Sequence, residues 1–318
     1  MRGRIRIARS TGRCVDTGRC VGAGRAGLVL TVAVLLVAGA FGWAWFHGSV
    51  GSLPLRPHCT ATASGSTTEL DPEQTGNAAV IAAVADKRGL PARATSIGIA
   101  TAMQESKLRN LSYGDRDSLG LFQQRPSQGG GTAEQIQDPV YAANAFFDVL
   151  VKIEGYQNLP ITTAAQKVQR SAFPSAYADH EPQARIFASA LAGYSPGSLN
   201  CVLAVTKVTA QTPGANGLTE RAAALVAAAD REAGRKGVAA TSNGTADGAS
   251  VRFSLAGREG ARLSWALAQW AVARADGLTV VAVEVDGKQW RRDAPNSGWT
   301  ALSGGPAVGT VIVRVANS

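Results

Sequence analysis

Glu105 and Gln123, eighteen residues apart, are the side chains of this sequence whose setting most invites chemistry. Glu105 falls at the end of PARATSIGIATAMQESKLR, a run that reads as a helix opened by Pro91. Gly98, Thr101, Ala102 and Leu108 lie at i−7, i−4, i−3 and i+3 from it and share its face. Small and apolar neighbours of that kind draw a carboxyl partly out of water. A carboxyl in such a setting keeps its proton to higher pH, where it can serve as a general acid. Glycosidic cleavage needs such an acid to protonate the leaving oxygen. The bland alternative is a glutamate at a solvated helix end, paired with Lys107 or Arg109.

Other chemistries are poorly supplied. Beyond residue 46 there are three histidines, His47, His58 and His180, and two cysteines, Cys59 and Cys201. Few donors are thus at hand for a transition-metal site or a Cys/His nucleophile. No G-x-S-x-G elbow accompanies His180, whose ADHEP setting reads as a solvated helix start. No metal and no cofactor is expected. Cys59 and Cys201 bracket the best-organised part of the chain, and pairing them is more economical than two free thiols in an oxidising compartment. Closing so long a loop removes on the order of 4–5 kcal/mol of unfolded-state entropy in the chain model.

The surroundings of Glu105 carry a resemblance. Glu105-Ser106 is followed by NLSYGDRDS and then by Gly120-Leu121-Phe122-Gln123. This resembles the lysozyme-like domain of lytic transglycosylases, where a helix ending in Glu-Ser precedes a Gly-Leu-Met-Gln. The eighteen-residue step is also similar to that of resuscitation-promoting-factor domains. The similarity covers about residues 75–200 and implies a protein acting on peptidoglycan. It makes Glu105 the catalytic acid and base and puts Gln123 in the sugar groove, with Ser106, Gln124, Asp115 and Asp117 as further substrate-binding candidates. DPVYAANAFFDVLVKI resembles the helix that packs behind that groove. Phe122 replaces the family's Met. The Tyr-Asn-x-Gly segment, whose Tyr supports the glutamate, is absent, and Tyr177 and Tyr194 are the two candidates for its role. The run from GLPARATS to GDRDSLGLFQQRPSQ is also similar to a group of actinobacterial membrane-anchored proteins whose activity the likeness does not define.

The family's chemistry needs one carboxylate, which first protonates the glycosidic oxygen and then takes a proton from the muramoyl 6-hydroxyl. A hydrolase would add a second carboxylate to hold water or attack. Asp115 and Asp117 are the candidates, against a reading as loop structure paired with Arg116. Gln124 and Arg125 either contact acetamido and lactyl groups or form a surface corner. Two functions therefore compete: cleavage of the β-1,4 MurNAc-GlcNAc bond, or glycan binding by an inactive scaffold of the cell envelope.

The elements that must position these residues divide the chain. Residues 1–25 hold seven arginines against Asp16, and residues 26–46 hold no charge. Those 21 residues suffice to cross a bilayer, with the basic tail cytoplasmic and the bulk extracytoplasmic. Ala38-Gly39-Ala40 offers a competing processing site. The tail accounts for +6 of the formal +9, so the outer 272 residues carry only +3, too little to indicate nucleic acid. Residues 47–70 read as a linker and 71–205 as an all-α lysozyme-like domain, with Asp71-Pro72, Thr132–Gln135 and Asp138-Pro139 starting helices. Residues 206–248 read as a helix and a flexible spacer, and 249–318 as a small β-α-β-β module with an Asp-Gly turn. The fold class expected is α+β. Trp265, Trp270, Trp290 and Trp299 form either the module's core or a sugar-stacking platform. Peptidoglycan and the membrane are the partners implied, with a cell-envelope protein as a candidate partner of the module.

Overall fold

The computed structural model describes residues 56–170, 174–240 and 248–317. The expected cytoplasmic tail, the membrane anchor at 26–46 and the processing site at Ala40 lie outside these residues. No helix among the described residues is long and apolar enough to cross a membrane. In chain order the helices are α1 (Pro72–Lys87), α2 (Ala92–Ser106), α3 (Ala133–Ile136), α4 (Pro139–Leu150), α5 (Ile161–Gln169), α6 (Glu181–Leu191), α7 (Glu220–Ala233) and α8 (Gly260–Ala273). Short 3-10 turns occupy Pro126–Gln128 and Pro174–His180.

The helix starts follow from local chemistry. Asp71 accepts from the Gln74 N–H at 2.9 Å while the Gln74 side chain accepts from the Asp71 N–H at 3.1 Å, and Pro72 follows. Thr132 and Gln135 make the same reciprocal pair before α3, and Asp138 caps α4 ahead of Pro139. α1 is buried without interruption from Thr75 to Ala85, as a helix apolar on all sides must be. It is the hub: α2, α4, α7 and α8 all pack against it.

The segment expected to be all-α is not. β1 (His58–Ala63) and β2 (Ser66–Leu70), from the stretch read as linker, pair antiparallel, and β1 pairs on its other edge with β3 (Leu199–Val202). The inward residues of β1 are Cys59 and Ala61, both fully buried but too small to signal a strand. Ser64 and Gly65 both have positive φ, the backbone of a tight hairpin whose twist matches the strands. β3 arrives from far along the chain, and a pairing of that separation leaves no local pattern. The register sets Cys59 opposite Cys201, and the two are joined by a disulfide.

The C-terminal part is also more than β-α-β-β. β4 (Gly237–Ala239), β5 (Ser250–Ser254), β6 (Val280–Val285), β7 (Lys288–Arg291), β8 (Trp299–Ala301) and β9 (Thr310–Val315) form an antiparallel sheet in the order β4-β5-β9-β6-β7-β8. Asp286 and Gly287, both at positive φ, make the expected turn. α8 packs on β6 and β9 and also against α1 and α6, so helices and sheets share one core. Fold class is thus corrected to a mixed helix-and-sheet unit without a separate all-α lysozyme-like body.

Buried polar groups hold this arrangement together. Gln269 on α8 accepts from the N–H of Ser198 and of Leu199 at 2.9 Å each and donates to Ala190 O at 2.6 Å, which seats the start of β3. Trp265, Trp270 and Trp290 are buried, and their indole N–H groups donate to Asp286, Glu232 and Asn200. Trp299 is half-buried edge-on to Trp265 and donates to Leu199 O. These four indoles are core and inter-element struts, not an open sugar platform. Burial pushes the Glu232 carboxyl up from its ordinary value, against the opposing pull of Arg274.

Candidate active site

α2 ends in a reversal that depends on α1. Lys107 and Leu108 both have positive φ, a conformation costing about 1–2 kcal/mol for each such residue. α1 offsets this cost by side-chain bonds to the reversed backbone. Gln74 Nε2 donates to Lys107 O at 2.9 Å and Asn77 Nδ2 to Leu108 O at 2.8 Å. Arg109 is clamped by Asp71 and Glu73, and the Asp71 bond raises its already high pKa further. Glu105 therefore stands on the last turn of α2, with Arg109 committed elsewhere.

The partner of Glu105 is Tyr177. Its hydroxyl donates to Glu105 Oε1 at 2.7 Å from a fully buried ring in the 3-10 turn Pro174–His180. Of the two tyrosines the sequence offered, Tyr194 is elsewhere, 58% exposed beyond the end of α6. The same 3-10 turn brings His180 Nε2 to 3.0 Å from Gln104 Oε1, so this histidine stands at the start of α6, as expected, but half-buried against α2.

Burial lowers the His180 pKa from its ordinary value, Lys107 lowers it further, and Asp179 opposes them. In the window just below the ordinary histidine value the unfolded chain therefore binds more protons than the folded one, so stability falls as pH falls through it. His180→Gln retains a donor for Gln104 without a titrating charge. Urea denaturation on both sides of the ordinary value is expected to show a smaller acid-side loss in the variant than in the wild type. Equal losses would exclude His180 as the source.

Three elements pin the Gly120–Gln123 turn. Ser106 Oγ lies 2.8 Å from Leu121 O and 3.0 Å from Ala102 O, its one proton shared between them, which couples the turn to the last turn of α2. Gln169 on α5 donates to Phe122 O at 2.7 Å. The buried Phe122 ring stacks on Phe146 of α4, with centroids 4.5 Å apart. Gly120 has positive φ, and a Cβ there would lie 2.6 Å from Ile136 O. The Gln123 side chain folds over Gly114, where a Cβ would come within 1.9 Å of its Oε1, and its Nε2 donates to Gly120 O at 3.2 Å.

The remaining candidates are placed differently. Ser106 is buried with its hydroxyl engaged inward. Gln124 turns in as well: Nε2 donates to Ala142 O, and Oε1 is buried without a partner among the described residues. Asp117 accepts from the Ser127 N–H and from Arg125 Nε, both at 2.8 Å, and these bonds, the Ser127 N–H first, hold it well below the usual carboxylate range. Asp115 is exposed on the same loop. Among the described residues neither aspartate is hydrogen-bonded to Glu105 or Tyr177. Beside them stands Tyr113, 70% exposed, with its carbonyl 3.4 Å from Gln123 Nε2. Sequence reasoning passed over it, because a tyrosine in a loop has no signature until its exposure beside the site is seen.

No protein-family model matches this chain, and no curated protein matches it. Among the described residues no group of three or more His, Cys, Asp or Glu side chains could hold a metal ion. What the arrangement offers is one partly buried carboxyl with a phenol donor on one oxygen, next to a rigid, backbone-rich turn.

Proposed function

We propose that this protein cleaves the β-1,4 MurNAc-GlcNAc bond of peptidoglycan as a lytic transglycosylase does, with Glu105 as its single acid and base. The observation that carries this reading is the hydrogen bond from the buried Tyr177 hydroxyl to Glu105 Oε1. It fixes the carboxyl and leaves Oε2 to carry the proton. Glu105 gives that proton to the glycosidic oxygen as the C1–O bond breaks. The carboxylate left behind is stabilised by the Tyr177 donor. It then takes the proton of the muramoyl 6-hydroxyl as O6 closes on C1, which leaves a 1,6-anhydro sugar and a reprotonated Glu105.

Two further observations support the choice. Ser106 ties the Glu-bearing helix to the turn of Gln123, so the two motif halves are held as one unit. Asp117 is committed to Ser127 and Arg125, which removes it as a second carboxylate for a water and favours the internal 6-hydroxyl. The setting proposed is the outer face of a membrane, with residues 26–46 as anchor. The arginine-rich tail before that uncharged run supports it, and so does the Cys59–Cys201 disulfide, a bond that persists in oxidising compartments.

The test is digestion of purified peptidoglycan by the full-length protein in detergent micelles, with soluble products read by mass. Anhydro-muropeptides are expected. Reducing-end products in their place would overturn the single-carboxylate mechanism. No products, with the protein still sedimenting with the glycan, would overturn catalysis and leave the scaffold reading.

A further inference from the structure

We propose that the protein carries a second glycan-binding cleft, at the opposite end of α2 from Glu105, that takes a carboxylate-bearing segment of a glycan strand. The choice of a glycan rests on the reading above that the protein acts on peptidoglycan. A cleft of about 840 Å³ opens between the β1–β2 hairpin turn, the first turn of α2 and the face of α6. That volume lies within the range of small-ligand sites. Twelve residues separate Arg93 in its wall from Glu105, about 18 Å of helix, so a group bound there does not reach the reacting carboxyl.

The charge of the cleft is unbalanced. Arg93 Nη1 lies 2.7 Å from Glu181 Oε1, and Arg185 Nη1 lies 3.6 Å from the same oxygen. Among the described residues no other charged side chain lines the cleft, so two guanidinium groups share one carboxylate and a single positive charge is left over. Arg185 is the exposed member, with 67% of its side chain open to solvent. Arg93 Nε is buried in the wall with no partner among the described residues. Arg93 Nη2 donates to Leu159 O at 2.8 Å, so the guanidinium matched to a carboxylate is the open one of Arg185, which can grip it through two parallel bonds.

The rim supplies what a sugar ring requires. Tyr194 presents a largely exposed ring, and the Arg262 guanidinium sits 5.3 Å from its centroid. Arg262 is itself held by Asp86 and by Ala192 O. A tyrosine mounted this way offers a flat apolar face with little left to order on binding. Ser64 and Ser66 of the hairpin also line the cleft. This hairpin is the part of the fold that an all-α domain would lack.

The experiment measures binding without turnover. Full-length protein carrying Glu105→Gln, in detergent micelles, is titrated with peptide-free glycan strands that retain their muramic carboxylates, and separately with neutral chitooligosaccharides. Arg185→Ala is expected to weaken binding of the carboxylated strands about tenfold and to leave the neutral ones unchanged, with Arg185→Lys recovering part of the loss. Tyr194→Ala is expected to weaken both about tenfold. Both side chains are exposed, and an unchanged melting temperature confirms folding. The proposal is overturned if neither substitution changes affinity, or if Arg185→Ala weakens neutral and carboxylated strands alike. Because no bond is cut in this assay, its failure is separable from a failure of Glu105 to cleave.

Discussion

Glu105→Gln is expected to lower the release of soluble muropeptides by about 10²–10⁴-fold, the contribution typical of a positioned general acid and base. The amide has the shape of the carboxyl and can still accept the Tyr177 hydroxyl at Oε1, so the fold is left as it was. What it lacks is a proton to give and a charge with which to retrieve one. Tyr177→Phe is the graded companion. It keeps a fully buried ring in place and removes the hydroxyl that donates to Glu105. A hydrogen bond to a charged group is worth about 1.5–3 kcal/mol, which corresponds to a rate loss of roughly 10–100-fold. The measurement is initial rate on purified peptidoglycan, with melting temperature as the control for folding. A Glu105→Gln protein within tenfold of wild type would remove Glu105 from the mechanism.

Loss of the Cys59–Cys201 disulfide is expected to have the largest effect on stability. The bond closes a loop spanning 142 residues of separation, for which the chain-entropy model gives about 4–5 kcal/mol. In a unit of this size each kcal/mol moves the melting temperature by roughly 2–4 °C, so a drop on the order of 10 °C or more is expected for Cys59→Ser with Cys201→Ser. Calorimetry of wild type with and without reductant, beside the double variant, checks it. The structure adds a reason beyond loop entropy. Both sulfurs are buried where β1 meets β3, and β1 is the middle strand of its sheet. Releasing the bond loosens the hairpin that walls the second cleft. A melting temperature indifferent to reductant would mean that β1–β3 pairing alone suffices.

The helices were legible because each begins with chemistry that acts over three or four residues. Asp71 with Gln74, Thr132 with Gln135 and Asp138 with Pro139 are caps whose partners are near neighbours in the chain. The Asp286-Gly287 turn was legible for the same reason. The β1–β3 sheet was not, because its inward residues are Cys59 and Ala61 and its third strand lies beyond the whole helical region. Small residues give no hydrophobic alternation, and a strand completed from so far away has no local reason to be one.

The site divides along the same line. The sequence by itself determined that Glu105 would end a helix and that Gln123 would follow eighteen residues on. Those are matters of composition and of spacing within one element. Only the tertiary structure decided that Tyr177 rather than Tyr194 meets Glu105 and that Ser106 and Gln124 turn inward. It also decided that Asp117 is held by Ser127 and Arg125, and that a charged cleft lies at the far end of the same helix. Each of these depends on where two elements distant in sequence come to rest against each other. That is set by burial of the shared core, which is non-directional along the chain and leaves no spacing to read.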